Sequence, residues 1–399
     1  MRIGLSTTMI QRGHTGIGQY LFAVLRAFCE QPVRHPFHLF VLEQDLPLFD
    51  FAREKMKLIP VSECWRKPAQ NIFWHHAVLP RLVRDLRLDL MHVPSYRRLL
   101  WRNSCPLVAT IHDLAPFHVQ KKYDWKRMLY GKRIVPFLAR RQDQIIAISD
   151  TTAKDIRRFF GVQENKLQVI PNGVDHQRFN PGDTAQARAW VQERFKMDQP
   201  FFLYVARLEH PGKNHVRLIE AFNQFKAATG SNWKLVLAGS DWHGAGVIHA
   251  MVRQSPWARD ISCLGFVPDA ELPSLYRAAQ ALIFPSLFEG FGMPVVEAMA
   301  CGCPVVCTAN GALGEVAGSA ALPLQKPENV DELGSLLVRL ATEPALLDEL
   351  RARGLARAAE FDWKFTAQAT LEVYRKALHK TGTTASSRLV SKQVPEAVS

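Results

Sequence analysis

The feature that most constrains the fold is a repeated alternation of short apolar segments with longer segments of helical period. In the first half, apolar runs such as MRIGLST, FHLFVLE, PLVATIHD and DQIIAIS are separated by stretches such as GQYLFAVLRAFCE. The second half repeats this rhythm with PFFLYVAR, WKLVLAGS, ISCLGFV, QALIFPS and PVVCTAN. Short strands that alternate with helices are typical of parallel βαβ units. The pattern therefore predicts an α/β protein built from two halves of similar size.

The chain is also long enough for two domains, because 399 residues exceed the usual range of a single one. Pro, Asn and Gly cluster in the stretch PNGVDHQRFNPGD, which is typical of a connection between domains. We therefore expect one domain over residues 1–180 and a second over residues 181–378 that ends in helices. Residues 379–399 are polar, and we expect them to form a disordered tail.

Several classes of protein are disfavoured by simple patterns. The start MRIGLSTTMI lacks the basic, apolar and small-residue order of a signal peptide, and no run of about 18 apolar residues predicts a membrane span. Seven scattered cysteines in apolar settings fit the reduced thiols of the cytoplasm better than a disulfide framework. The cluster ACGCPVVC is interpreted as an apolar helix end that leads into a strand, so no metal site is predicted.

The charge is strongly divided along the chain. Residues 1–180 contain 28 Lys and Arg against 15 Asp and Glu, whereas the remainder contains 22 of each class. This asymmetry favours a polyanionic partner for the first half, such as a phospholipid surface, a diphosphate-linked substrate or nucleic acid. A basic face that is merely solvated would give the same count.

The stretch FEGFGMPVVE contains two glutamates, Glu289 and Glu297, on either side of Pro294. Proline belongs at the start of a helix, so Glu289 is predicted in a loop and Glu297 in the first helical turn. Backbone N–H groups without acceptors and the helix dipole make such a turn favourable for anions. The alternative is that Glu297 only complements the dipole and that Glu289 is solvated.

Three further stretches place chemistry-bearing residues at predicted strand ends, where ligands bind in doubly wound sheets. ARLEHPGKN carries Arg207 and Lys213, two cations that suit a diphosphate, and TIHDLAP carries His112, which could exchange a proton with a ligand. QRGHTGIGQY carries Gly16 and Gly18, which could bring backbone N–H groups close to a phosphate. Solvated cations, a structural histidine and a plain glycine turn are the respective alternatives.

Taken in order, these motifs resemble the family 4 retaining glycosyltransferases, and the resemblance covers about residues 1–378. PNGVD and the AGS of residues 238–240 also resemble that family. The resemblance implies the GT-B fold, in which two Rossmann-like parallel-sheet domains face each other across a cleft, followed by C-terminal helices. It implies a nucleotide diphosphate sugar as the donor and no required cofactor or metal.

The resemblance also implies roles for particular residues. Arg207 and Lys213 would bind the diphosphate and stabilise the leaving nucleotide. Glu289 would face the donor sugar, Glu297 would accept hydrogen bonds from the ribose, and His112 would position the sugar or the acceptor. The other implied positions are Gly16 in the N-terminal loop, Val267 beside the base, the backbone of Phe291, Gly292 and Met293 beside the sugar hydroxyls, and Ser149 near the cleft.

In this family the N-terminal domain holds the acceptor, which gives the basic first half a role. We hypothesise that it docks on the anionic inner face of the membrane as a peripheral cytoplasmic protein and receives a saccharide or a polyprenyl-diphosphate-linked saccharide. The candidate contacts are Arg97, Arg98, Arg102, Lys121, Lys122, Lys126 and Arg127. Each could contribute about 1 kcal/mol on an anionic surface.

NIFWHHAVLP and TIHDL favour, by resemblance, the mannosyltransferases of bacterial polysaccharide assembly. GDP-mannose is therefore the first donor expected, with UDP-sugars close behind. Retention by front-face attack or through a covalent intermediate is left open. The alternatives are a nucleotide-sugar 2-epimerase of the same architecture and a non-catalytic protein whose basic face binds lipid or nucleic acid.

Overall fold

The computed structural model describes residues 1–13, 15–32, 35–101, 104–118 and 130–390. These residues form two compact units. The first contains the chain up to Pro116, residues 130–172 and the chain from Trp363 onward, and the second contains Gly173–Asp362 together with residues 117–118.

The first unit is built on a parallel sheet of seven strands in the order β3-β2-β1-β4-β5-β6-β7. The strands are β1 (Ile3–Ser6), β2 (Phe37–Leu42), β3 (Met56–Val61), β4 (Leu90–Val93), β5 (Leu107–Ile111), β6 (Gln144–Ala147) and β7 (Leu167–Val169). β1, β4, β5 and β6 are buried along their whole length, which explains why the sequence shows continuous apolar runs there.

The second unit repeats the arrangement with six parallel strands in the order β10-β9-β8-β11-β12-β13. The strands are β8 (Phe201–Val205), β9 (Lys234–Ala238), β10 (Ile261–Gly265), β11 (Ala281–Phe284), β12 (Val305–Thr308) and β13 (Leu322–Leu324). The order of strands reverses between β8 and β11, so the loops that follow these two strands are neighbours at a switch point. The predicted GT-B class, with two parallel-sheet α/β domains, is confirmed.

Helices connect the strands in both units. In the first half they are α1 (Gly16–Glu30), α2 (Pro68–Ala77), α3 (Leu79–Asp85), α4 (Ala115–His118), α5 (Val135–Arg141) and α6 (Asp150–Asp155). In the second half they are α7 (Thr184–Phe195), α8 (His215–Thr229), α9 (Ala245–Gln254), α10 (Leu272–Ala278), α11 (Met293–Ala300), α12 (Gly311–Ala317), α13 (Val330–Thr342), α14 (Pro344–Ala358) and α15 (Trp363–Val390). Across the described residues, no helix is both long and apolar enough to cross a bilayer.

The last helix returns to the first unit, which differs from the expected domain limits of 1–180, 181–378 and 379–399. α15 packs on α1, and it buries Ala367, Leu371 and Tyr374 in the same core as β1 and β2. The junction after β7 lies at Asn172 and Gly173 rather than at residue 180. The helix also continues to Val390, beyond the point where the sequence predicts the tail to begin.

Candidate functional site

The loop after β8 brings Lys213 to the loop after β11. Lys213 Nζ lies 2.5 Å from Glu289 Oε1, and both side chains are more than four-fifths buried. Tyr204 on β8 donates a hydrogen bond to the Lys213 carbonyl at 2.6 Å. Asn214, which begins α8 in a left-handed conformation, donates to the carbonyls of Pro285 and Pro327. The backbone that carries Lys213 is therefore attached to the segments that follow β11 and β13.

Glu289 is held on one side only. Ser286 at the end of β11 donates to Glu289 Oε1 at 2.7 Å, the same oxygen that pairs with Lys213. Glu289 Oε2 has no hydrogen-bond partner in the part of the chain that the structure describes. One carboxylate oxygen is thus held by the protein, while the other keeps its capacity to accept hydrogen bonds.

Arg207 lies in the same loop but is much more accessible than Lys213. Its side chain is 46% exposed, lies 3.6 Å from Glu209 Oε2 and has its guanidinium 4.6 Å from the ring centroid of Trp242. The loop packs closely on the end of β9, because a Cβ atom at Gly239 would lie 2.0 Å from the Ala206 carbonyl oxygen. Gly239 belongs to the AGS segment, so a close backbone approach explains its glycine.

The start of α11 depends on Gly292. This residue caps the helix with φ at 103°, and a Cβ atom there would lie 2.5 Å from Leu313 Cδ2. Met293 begins the helix and Pro294 is its second residue, one position from the predicted start. The Phe291 side chain is buried and makes an edge contact with Phe361, so only its backbone is available to a ligand.

The prediction that Glu297 lies in the first turn of this helix is wrong. Glu297 is the fifth residue of α11, because the helix begins at Met293 and has no acidic residue in its first turn. Tyr276 on α10 donates a hydrogen bond to Glu297 Oε2 at 3.0 Å. Burial raises the pKa of Glu297 to about 7, while the Tyr276 hydrogen bond and the nearby charge of Arg178 oppose this shift. Val267, the expected neighbour of a base, is buried just after β10.

In the first unit, His112 follows β5 as predicted. Its Nε2 atom is buried and has no hydrogen-bond partner in the described residues. The Tyr20 ring of α1 packs edge-on against the imidazole, with centroids 4.7 Å apart. Burial lowers the pKa of His112 to about 4, against the opposing effects of Asp113 and a hydrogen bond with the Pro94 backbone. The imidazole is therefore neutral near pH 7, with a nitrogen left for a partner.

The other candidate positions at strand ends of the first unit are Gly16, Gly18 and Ser149, and the structure gives a local explanation for the last two. Gly16 is the first residue of α1, and a Cβ atom there would meet nothing within 4 Å. Gly18 is the more constrained glycine, since its Cβ atom would lie 3.1 Å from Gly13 Cα. Ser149 caps α6 by accepting a hydrogen bond from the Thr152 N–H at 3.1 Å.

The proposed acceptor and membrane contacts are only partly visible. Arg97 and Arg98 lie in a short turn after β4, whereas Arg102, Lys121, Lys122, Lys126 and Arg127 lie outside the described residues. The Arg97 guanidinium lies over the Tyr96 ring. Arg98 donates to Asn71 Oδ1 at 2.6 Å and to the Arg97 carbonyl at 3.1 Å.

The clustered cysteines follow the predicted path from the end of α11 into β12 and are buried. Burial raises the pKa of Cys301 and of Cys307 to about 12, so both are thiols near pH 7. In the described ranges, no three His, Cys, Asp or Glu side chains are grouped so that they could hold a metal ion.

Sequence reasoning missed four residues that shape the site: Tyr204, Trp242, Tyr276 and Ser286. Ser286 is the last residue of IFPS, two positions after β11 ends and three before Glu289, and this place after a strand is a signal that could have found it. Tyr276 has no such signal, because it contacts Glu297 across 21 positions through the packing of α10 on α11.

Comparison with known proteins covers both halves of the chain. The family described as Glycosyltransferase Family 4 matches residues 14–178, and Glycosyl transferases group 1 matches residues 187–357. The O-antigen chain mannosyltransferase B of Escherichia coli is 30% identical over 293 residues, 73% of this chain and 76% of that protein. The MMP alpha-(1->4)-mannosyltransferase of Mycolicibacterium hassiacum is 31% identical over 291 residues, 68% of this chain and 66% of that protein.

Similarity extends to relatives with other acceptors and to solved structures. The D-inositol 3-phosphate glycosyltransferase of Kribbella flavida is 30% identical over 69% of this chain and 67% of that protein. The structure of Anabaena HepE in complex with UDP and glucose has a TM-score of 0.75 at 19% identity, and the alignment covers 94% of this chain and 99% of that one. The chain therefore belongs to the family 4 glycosyltransferases of the GT-B fold.

Proposed function

We propose that this glycosyltransferase moves a mannosyl residue from GDP-mannose to a saccharide or lipid-linked saccharide acceptor, with retention of the anomeric configuration, in polysaccharide assembly. The observation that carries the proposal is the cluster of Lys213, Glu289 and Ser286 at the switch point of the second sheet. Mannosyltransferases among the relatives support the choice of sugar.

The chemistry follows from the charge that develops as the donor is cleaved. When the bond between the sugar and the diphosphate breaks, negative charge accumulates on the leaving diphosphate. Lys213 and Arg207 are the cations of the strand-end loop that would oppose this charge, together with the N–H groups at the start of α11. We therefore propose that transfer requires no metal ion, and we expect activity to persist in EDTA.

Glu289 and Glu297 have different roles in this proposal. Glu289 Oε2 would accept hydrogen bonds from hydroxyls of the transferred sugar, beside the backbone of residues 291–293. Glu297 would accept hydrogen bonds from the ribose, with Val267 beside the base. Lys213 and Ser286 both stabilise the negative charge of Glu289, so the carboxylate is a weak nucleophile. This favours front-face attack over a covalent intermediate.

The first unit supplies the acceptor side. We assign to His112 the positioning of the transferred sugar or the acceptor through its unpartnered Nε2 atom, and to the Gly16 turn the approach to the diphosphate. The excess of cations in residues 1–180 would hold the protein on an anionic membrane surface from which the acceptor is taken.

The test is a thermal-shift panel with GDP, UDP and ADP and their sugars, followed by transfer assays. A ligand that binds only the native state raises its stability, so GDP and GDP-mannose should give the largest shifts. The anomeric configuration of the product is then determined by NMR. A larger shift with UDP would assign another donor. Conversion of the donor sugar without an acceptor would instead indicate a nucleotide-sugar 2-epimerase.

A further inference from the structure

The first unit contains an apolar cavity that the donor chemistry does not use. Its volume is about 510 Å³, which lies in the range of about 300–1,000 Å³ that is common for ligand sites. Its described lining comes from α2, α3, Trp101 and the segment of residues 130–138, and it includes Ile72, Pro80, Ile134 and Leu138. Trp101 and Ile134 are about half exposed, so the cavity opens to the surface between large apolar side chains.

A cation that has no acidic partner among the described residues lies beside this cavity. The Arg98 side chain is partly buried, and it pairs with no carboxylate in the described ranges of the chain. Burial lowers the pKa of Arg98 to about 10, and Tyr130, which lines the cavity, is among the groups close enough to affect it. The pKa of His76, another lining residue, is lowered by burial and by the charge of Arg98. A buried cation that lacks a counter-ion is costly, so this place favours an anion.

The rim of the cavity is also cationic. Residues 130–141 contain four Lys and Arg and no Asp or Glu. The Arg141 guanidinium lies 4.4 Å from the Phe137 ring centroid and 5.6 Å from that of Trp101, and Lys132 and Arg133 are exposed. An apolar cavity beside an arginine that pairs with no carboxylate among the described residues, and with further cations nearby, is complementary to a molecule that joins one hydrocarbon chain to a phosphate.

We infer that this cavity binds the hydrocarbon chain of a phosphate-bearing lipid, with Arg98 beside the phosphate, and that this lipid carries the acceptor. The inference rests on the proposed function only for the role of the lipid as acceptor. Binding itself requires neither the donor nor the second unit.

The experiment measures the binding of farnesyl phosphate to the full chain by isothermal titration calorimetry. Farnesol tests the need for the phosphate, and inorganic phosphate tests the need for the chain. We expect farnesyl phosphate to bind at least about tenfold more tightly than either, because only it satisfies both the cavity and the cation.

Two variants with matched controls locate the site. Ile134→Asn places a polar group in the cavity mouth and should weaken farnesyl phosphate binding about tenfold, whereas Val247→Asn, at an equally exposed apolar position on α9, should not. Arg98→Gln should remove most of the preference for farnesyl phosphate over farnesol, whereas Arg253→Gln, an exposed arginine on α9, should keep it.

The outcomes separate the two proposals. Failure of the native chain to bind farnesyl phosphate, or unchanged binding by Ile134→Asn, overturns this inference, and GDP binding by the same samples shows that the second unit is intact. If Ile134→Asn still bound farnesyl phosphate normally but no longer bound phosphatidylglycerol vesicles, the cavity would be a membrane contact and the inference would be wrong. Farnesyl phosphate binding without any sugar transfer would support the inference while contradicting the proposed function.

Discussion

At the scale of single residues, the ion pair between Lys213 and Glu289 is the centre of the proposed donor site. Lys213→Ala removes the buried cation of the donor site, so we expect kcat/KM for transfer to fall by about 10²–10³, the usual cost of one such group. Lys213→Arg should recover only part of this loss, because a planar guanidinium replaces a compact ammonium.

The matched control for this prediction is Lys234→Ala. Lys234 lies in the same unit as Lys213 and is buried to a similar extent. It is the first residue of β9 and pairs with Asp260, and no ligand is proposed to bind there. Its loss should leave kcat/KM within about twofold, because Lys234 begins β9 and therefore lies at the edge of the sheet opposite the strand ends where ligands bind. Wild-type activity in Lys213→Ala would contradict the proposed role of this lysine.

Glu297 gives a prediction for the dependence of stability on pH. Its pKa is raised by burial from an ordinary value of 4.5 to about 7, so the folded state binds a proton more tightly than the unfolded state. The stabilisation is complete below about pH 4.5 and is lost as the pH rises through about 7. The difference corresponds to at most about 3.5 kcal/mol, since one pKa unit is about 1.4 kcal/mol.

Glu297→Gln removes this titration. Between pH 4.5 and 8, we expect the melting temperature of the native chain to fall relative to that of the variant and the difference to level off above pH 8. Glu372→Gln, at an exposed position of α15, controls for the loss of one carboxylate. A melting-temperature difference that stays constant with pH would contradict the raised pKa.

These residues also show what the sequence could reveal about the site. Lys213 and Glu289 are 76 positions apart, and each follows an apolar strand. The rule that ligands bind at strand ends makes Lys213 a candidate, and Pro294 predicts Glu289 in a loop, but neither pattern predicts the ion pair between them. The position of Glu297 was missed because the helix begins one residue before its proline. Its raised pKa depends on burial, which the local sequence does not encode.

At the scale of elements, α15 shows why a helix can be predicted without its place in the fold. Its sequence predicts a helix, but helical period does not state which core the apolar face covers. In the structure, specific contacts attach this helix to the first unit. Tyr374 and His92 Nδ1 are hydrogen-bonded at 2.7 Å, and His92 Nε2 lies 2.9 Å from Thr110 Oγ1. The helix that follows the second unit in sequence therefore completes the core of the first.

Tyr374→Phe tests this attachment. The variant keeps the ring but leaves a nitrogen of the buried His92 without its partner, so we expect the free energy of unfolding to fall by about 1–3 kcal/mol in urea. Phe365→Leu, at an exposed position of the same helix, should change it by less than about 0.5 kcal/mol. Equal stability of Tyr374→Phe and the native chain would show that the hydrogen bond contributes nothing.

At the scale of the whole molecule, the two halves have the same architecture but differ in net charge. The strand orders correspond through six strands, whereas the excess of cations is confined to residues 1–180. The repeated rhythm of strands and helices was visible in the sequence, and so was the asymmetry of charge. The return of the chain to its first unit was not, since it depends on long-range packing rather than on local pattern.

The charge asymmetry gives a prediction for binding to anionic membranes. Lys132 and Arg133 are exposed cations of the first unit, so replacing both by Ser should weaken binding to phosphatidylglycerol vesicles by about 2 kcal/mol, or roughly 30-fold. The pair Arg188→Ser and Arg253→Ser removes two exposed cations of the second unit and should have little effect. Co-sedimentation at increasing salt measures both, and native binding should decline as the Debye length shortens from about 10 Å at 0.1 M to about 3 Å at 1 M. Equal losses in the two double variants, or native binding that salt does not change, would show that the basic first half does not direct the protein to anionic lipid.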